Sequence, residues 1–315
     1  METTVGRIRP PHAPQLHAVA ALRRELAAAD SCTHHRYLRD FHEAYRTYES
    51  MLSWRQLTAE LNRADVLLVG DYHTLPSSQL FVAQLIEQLA RESGRPVVLA
   101  VEMVYSSDQR ALDAWLAREI DERELRRRIR YEASWGYDWA PFAAILYAGR
   151  THCAAVYGVD CGPRGDMNKI GLRDQHAATK LAEIRAAHPG AIILAVFGEA
   201  HMAPQHLPAK VGALLPRERV LTVLQNVDEL YWQAGAERSG RAAVRVQDGV
   251  VCVFNATPLE KYQSYRDYIE RWQEGQPQPS TSRGRRSRGR GTAQKRGDIE
   301  HLYVVLCVSR MGSAR

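Results

Sequence analysis

The chain has 315 residues, is 45% hydrophobic and carries a formal net charge of +6. That is enough apolar material for a real core, and no apolar run is long enough for a membrane helix. Five cysteines (Cys32, Cys153, Cys161, Cys252, Cys307) stand far apart with no CxxC pair, which excludes a disulfide framework or zinc knuckle and fits a reducing compartment.

The charge is uneven. Residues 276–297, QPQPSTSRGRRSRGRGTAQKRG, hold seven basic residues and no acid, so the rest of the chain is close to neutral. The basic balance belongs to this segment and not to a basic face of the domain. The N-terminus lacks the clean apolar stretch and cleavage site of a signal peptide and has no lipobox, so a cytoplasmic location is the expectation.

In chain order, a helix is predicted near 15–29 and another over 36–52, where Leu38, Phe41, Tyr45, Tyr48 and Leu52 share one face. Five continuous apolar runs then read as strands covered on both sides: 66–70, 96–102, 153–160, 191–198 and 219–226. Helical patterns separate them, over 77–94, 106–120, 141–149 and 171–188. Serines suit the first of these as caps, and Ser106-x-x-Gln109 has capping-box spacing in the second. Asp-Gly at 248–249 marks a hairpin within 244–255. Thr257, Pro258 and Glu260 open a closing helix over 257–275. The fold class is therefore α/β, a largely parallel central sheet flanked by helices, with a C-terminal hairpin and closing helix. The organisation reads as an N-terminal helical or extended segment (1–45), an α/β domain (46–275), a disordered Arg/Gly/Ser-rich linker (276–297) and a tail (298–315) whose LYVVLCV run is strand-like.

One pattern occurs twice. VLLVGDYHTLP (66–76) and LAVFGEAHMAP (194–204) are each an apolar run, then Gly, an acid, any residue, His, two residues and Pro, 128 positions apart. In a parallel sheet both fall at carboxyl strand ends, where ligands bind. The glycines let the chain turn, the prolines stiffen the exit, and His73 and His201 converge. The same edge gathers Asp71, Glu102, Asp160, Glu199 and Asn226. Two imidazoles among carboxylates suit a divalent metal, with His73, His201, Asp71 and Asp160 as ligands, or general acid–base work. The aromatic run YEASWGYDWAPF (131–142) reads either as a lid on the sheet or as a wall for a flat apolar ligand, with a tyrosine available to iron.

The paired G-[DE]-x-H motifs, VVLAVEMV, SWGYDWAPFAAILYAGR and VYGVD resemble the ChaN family of haem-binding uptake proteins, within the Tiki and erythromycin-esterase-like superfamily, over roughly 64–226. The resemblance implies an α/β fold with its site at the strand ends. In the ChaN branch it implies haem, paired and enclosed by a homodimer, with His73, His201, Tyr72, Tyr137 and Trp135 as contacts and Tyr105 as a further tyrosine candidate. In the hydrolase branches it implies an ester- or peptide-cleaving centre, metal-dependent or not, with Glu102 or Glu199 as general base. His73, Glu102 and His201 match the shared motif positions. Haem binding is the leading expectation and a metal-dependent hydrolase the alternative. Weak nucleic-acid contact through 276–297 is a third, less favoured than a solvated linker.

Overall fold

The computed structural model describes residues 13–29, 36–164, 169–236 and 242–274. The linker and tail expectations lie outside them.

Among the described residues, eight strands form one sheet: β1 (Ser50–Leu52), β2 (Val66–Asp71), β3 (Val97–Tyr105), β4 (Ala155–Asp160), β5 (Ile192–Gly198), β6 (Val220–Gln225), β7 (Ala242–Gln247) and β8 (Val250–Phe254). The order is β1-β7-β8-β6-β2-β5-β3-β4. From β8 to β4 all pairings are parallel; β7 and β1 add an antiparallel edge. Among the described residues, twelve helices connect or cover the strands: α1 (Ala13–Ala29), α2 (Arg36–Ala44), α3 (Trp54–Arg63), α4 (Pro76–Glu92), α5 (Gln109–Leu116), α6 (Glu122–Arg128), α7 (Tyr131–Ser134), α8 (Trp139–His152), α9 (Ile170–Ala187), α10 (Leu207–Leu214), α11 (Asp228–Ala234) and α12 (Pro258–Glu274).

The unbroken apolar strands are explained by two cores. On β2, Leu67 and Val69 join the core on one face, while Val66 and Leu68 join the core on the other. Successive side chains point to opposite faces, so both faces must be apolar. α1 contributes Val19, Leu22 and Leu26 to the first core, and α2 contributes Phe41 to the second, along with Tyr45 just beyond it. The N-terminal helices are thus built into the same cores as the sheet.

The expected capping box of α12 forms: Thr257 Oγ1 accepts from the Glu260 amide at 3.2 Å, and Glu260 accepts from the Thr257 amide at 2.7 Å. The expected turn also forms, with Gly249 at φ +69 between β7 and β8. Three expectations are corrected. The helix over 36–52 stops at Ala44, and 50–52 becomes an edge strand on β7, with the Glu49 amide also donating to Arg245. The buried Tyr45 draws the chain away by donating its hydroxyl to the Met202 carbonyl at 2.6 Å, a tertiary contact that overrides local propensity. Ser77 and Ser78 lie inside α4 and do not cap it; Leu75 stands at the cap and Pro76 opens the helix. Ser106 and Gln109 make no capping box. Gln109 instead bonds the exposed edge of β4, donating to the Val156 carbonyl and accepting from the Gly158 amide, which blunts that edge.

Candidate functional site

His73 and His201 meet at one rim of the sheet, on either side of Glu102. The strand order explains this: β2 and β3 are the two neighbours of β5, so the ends carrying His73, Glu102 and the second motif lie side by side. His73 Nε2 is 3.7 Å from Glu102 Oε2, and His201 Nε2 is 3.4 Å from Glu102 Oε1. All three side chains are buried.

The motif glycines serve this approach, and neither adopts the left-handed conformation expected for a sharp turn. A Cβ on Gly198 would lie 2.9 Å from His73 Nε2, and one on Gly70 would lie 3.1 Å from Met202 Cγ. Each glycine leaves space for side chains of the other motif's neighbourhood.

Each imidazole has its own aspartate. His73 Nδ1 bonds Asp71 Oδ2 at 2.7 Å, and Gln79 donates to Asp71 Oδ1 at 2.6 Å. His201 Nδ1 bonds Asp174 on α9. Glu102 is held on both oxygens, by Arg173 at Oε1 and by the Gly198 amide at Oε2 (2.7 Å). Arg173 also forks onto Asp160 at 2.9 Å through each of two contacts, and Arg164 bonds Asp160 at 2.7 Å and the Glu102 carbonyl.

These contacts set the protonation states. Burial pushes the Glu102 carboxyl up, but the positive charges of His201 and Arg173 overcome it and hold the group well below the usual carboxylate range. Burial pulls His201 down, and the Asp174 and Glu102 charges outweigh it, raising His201 to about 9. His201 is therefore an imidazolium at neutral pH. Burial raises Asp71 against the opposing pull of His73.

His73 is walled by rings: Trp135 at 4.6 Å, Tyr137 at 5.0 Å and Phe142 at 6.1 Å between centroids. Tyr137 stacks in turn on Tyr268 of α12 at 5.1 Å. The cavity among Asp71, His73, Glu102, Trp135 and Phe142 is about 10 Å³, room for a single water-sized body. Polar groups of its lining are unmet: among the described residues, His73 Nε2 and Trp135 Nε1 are buried without a hydrogen-bond partner.

Several expected residues fall elsewhere. Glu199 does not face the histidines; it pairs with the buried Lys261 of α12 at 3.0 Å. Tyr72 points to that same side, with Lys261 4.5 Å from its ring centre. Asn226 shapes the turn into α12, accepting from the amides of Asn255 and Ala256. Tyr105 lies under the Arg164 guanidinium at 3.9 Å.

The four-residue metal set is corrected by this geometry. Asp160 is taken by two guanidiniums, Asp71 by His73 and Gln79, and His201 Nδ1 by Asp174. Among the described residues no group of three His, Cys, Asp or Glu is arranged to hold a metal ion. Glu102, the expected general base, is held on both oxygens, and its depressed pKa opposes proton uptake.

Arg164, Arg173 and Asp174 were not anticipated. A signal for two of them exists: α9 buries Ile170, Arg173, Asp174, Ala177, Ala178, Leu181 and Ile184, so the charged pair sits on the helix's apolar stripe, in its first turns.

Fold and site together define an α/β protein with a buried histidine–carboxylate–arginine centre at the strand ends. Residues 57–191 match the family described as haem-binding uptake, Tiki superfamily, ChaN, the one its motifs resemble. Among solved structures, a ChaN of Campylobacter jejuni with cofacially bound haem is 13% identical, with a TM-score of 0.47 over 65% of this chain and 96% of that one. The type III effector HopBA1 is 14% identical, with a TM-score of 0.49 over 67% and 97%. RRSP, a toxin effector domain of Vibrio vulnificus, is 17% identical, with a TM-score of 0.36 over 61% and 41%. No curated protein matches the sequence. No helix among the described residues is long and apolar enough to cross a membrane.

His73 has the chemistry of an iron ligand, but the cavity beside it, about 10 Å³ against the roughly 300–1,000 Å³ of small-molecule pockets, encloses neither a haem nor an ester unless its aromatic wall opens. Burial also raises Tyr72 and Tyr137, opposing the phenolate an iron ligand requires.

Proposed function

We propose that the chain is a hydrolase built on the ChaN-type fold, cleaving an acyl substrate by metal-independent acid–base chemistry. The observation that carries this reading is the setting of His73. Its Nδ1 bonds Asp71 Oδ2, its Nε2 is buried without a hydrogen-bond partner, and its ring lines the cavity.

In this reading His73 Nε2 removes a proton from water. The oxygen bonds to the acyl carbon, and the carbonyl electrons move onto its oxygen. The His201 and Arg173 charges, held behind Glu102 and outside the cavity lining, supply a positive field for this oxyanion. Collapse re-forms the carbonyl, and the leaving atom departs with the proton held on His73. Glu102 is the anionic strut that fixes both cations and both rings. The apolar wall of Val101, Trp135, Phe142 and Val196 suits a small apolar acyl group, whose entry requires that wall to open.

Short-chain p-nitrophenyl esters test this. Wild type is expected to hydrolyse them in the presence of chelator, and His73→Ala is expected to lose about 10²–10⁴-fold. Equal rates in the two proteins would overturn the reading.

A second reading, haem binding, is favoured by the match over residues 57–191 and by the aromatic wall beside His73. It requires that wall to swing away. A saturable shifted Soret band that disappears in His73→Ala would establish it; a titration indifferent to His73 fits the hydrolase.

A further inference from the structure

α2 lies outside the segment that matches the family, yet one of its side chains reaches the centre. The Tyr37 hydroxyl donates to Asp174 Oδ2 at 2.9 Å, while Asp174 Oδ1 takes His201 Nδ1. Its ring is clamped on His206, with centroids 3.5 Å apart and planes 19° from parallel. His206 is itself fixed, bonding the Ala200 carbonyl at 3.1 Å and Asp40 at 3.0 Å. Opposite the hydroxyl stands Gly171, where a Cβ would come within 3.0 Å of the Tyr37 oxygen. A stacked ring, a fixed partner and a glycine clearance all aim one hydroxyl at one carboxylate oxygen.

We propose that Tyr37 is a positioning residue of the strand-end site, its hydroxyl fixed on Asp174 Oδ2 so that the carboxylate is divided between Tyr37 and the His201 ring. It acts through Asp174 and touches no reacting atom. Its part in catalysis rests on the acid–base reading above; its effect on His201 does not.

The physical consequence is a division of charge. His201 faces Asp174 from α9, Glu102 from β3, Arg173 beside Asp174, and the His73 ring across Glu102, with Asp40 and His206 behind Tyr37. The two acids hold its proton. A hydroxyl donating to Asp174 satisfies part of that carboxylate's charge and weakens its hold on the imidazolium. With the hydroxyl gone, Asp174 turns its full charge on His201, which then keeps its proton to higher pH.

The test is histidine side-chain NMR on the full chain, following the His201 ring nitrogens through alkaline pH and assigned by His201→Asn. Tyr37→Phe keeps the stack on His206 and removes only the hydroxyl. Its His201 midpoint is expected to rise by roughly half a pH unit or more, about threefold in proton affinity, with melting and circular dichroism close to wild type. Gly171→Ala displaces the same hydroxyl without touching the tyrosine and is expected to move the midpoint the same way; it decides the matter if Tyr37→Phe folds poorly. A His201 titration unmoved or lowered in the folded variants would overturn the proposal. Because no substrate is involved, a failed hydrolase reading leaves this result intact, and the reverse also holds.

Discussion

The first copy of the repeated motif keeps its acid and its histidine together; the second sends them to opposite sides. Asp71 bonds His73, whereas Glu199 turns to Lys261 and His201 takes Asp174 from another helix. The cause is local backbone. Asp71 ends a strand, and residues two apart in extended chain share a side. Residues 199–202 instead wind into a 3-10 turn, where positions two apart point about 240° from each other. The same four-letter pattern therefore builds a working pair once and two unrelated contacts the second time. One centre surrounds Glu102; the other, around Glu199 and Lys261, anchors α12.

The contrast can be broken most forcefully at Arg173, which serves only the first centre. Arg173→Met leaves Glu102 and Asp160 buried with reduced compensation, and a loss of roughly 3–5 kcal/mol is expected in denaturant unfolding. Lys261→Met tests the second centre. Glu199 is closer to solvent, at 14% exposure, so a smaller loss of about 1–3 kcal/mol is expected, with ester hydrolysis retained.

pH separates the two centres next. The folded-state pKa of His201 is raised from 6.5 to about 9, so its contribution is fully present below 6.5 and lost as pH rises through 9. That is on the order of 3 kcal/mol. Glu102 is depressed in the fold, so its contribution is present above 4.5 and lost as pH falls below that. Melting temperature should fall at both limits, and the alkaline fall should be smaller in His201→Asn.

The glycines sharpen the comparison on a smaller scale. Gly198→Ala drives a Cβ against the ring of His73, so a cost of about 1–3 kcal/mol and a large loss of hydrolysis are expected together. Gly70→Ala presses only on the Met202 side chain, with backbone atoms of Glu199 and Val223 at an ordinary 3.7 Å, and should cost less on both counts. Arg271→Ala should have the smallest effect on stability, under about 1 kcal/mol, because its pair with Asp138 is exposed. It should nevertheless quicken acrylamide quenching of Trp135 by loosening α12 from the aromatic wall.

The sheet was legible because its strands are covered on both faces, so apolar runs at 66–70 and 191–198 had few other readings. The meeting of His73 and His201 followed from their places at strand ends. What stayed hidden depended on direction and on partners far away in sequence. Glu199 and Tyr72 stand in the right motif but face α12. Arg173 and Asp174 were read as part of an ordinary helix, though their positions on its apolar stripe mark them as buried. Tyr45 redirected the chain before β1 through a bond to Met202, a partner 157 residues on. Arg164, which ties Asp160 to the Glu102 backbone, follows a strand end with no pattern of its own.

The most direct measurement is the pH dependence of ester hydrolysis in wild type and His73→Ala. A profile that rises with deprotonation of the base, falls near pH 9 as His201 loses its charge, and collapses in His73→Ala is expected. A rate that ignores His73 across the whole range would contradict the acid–base centre.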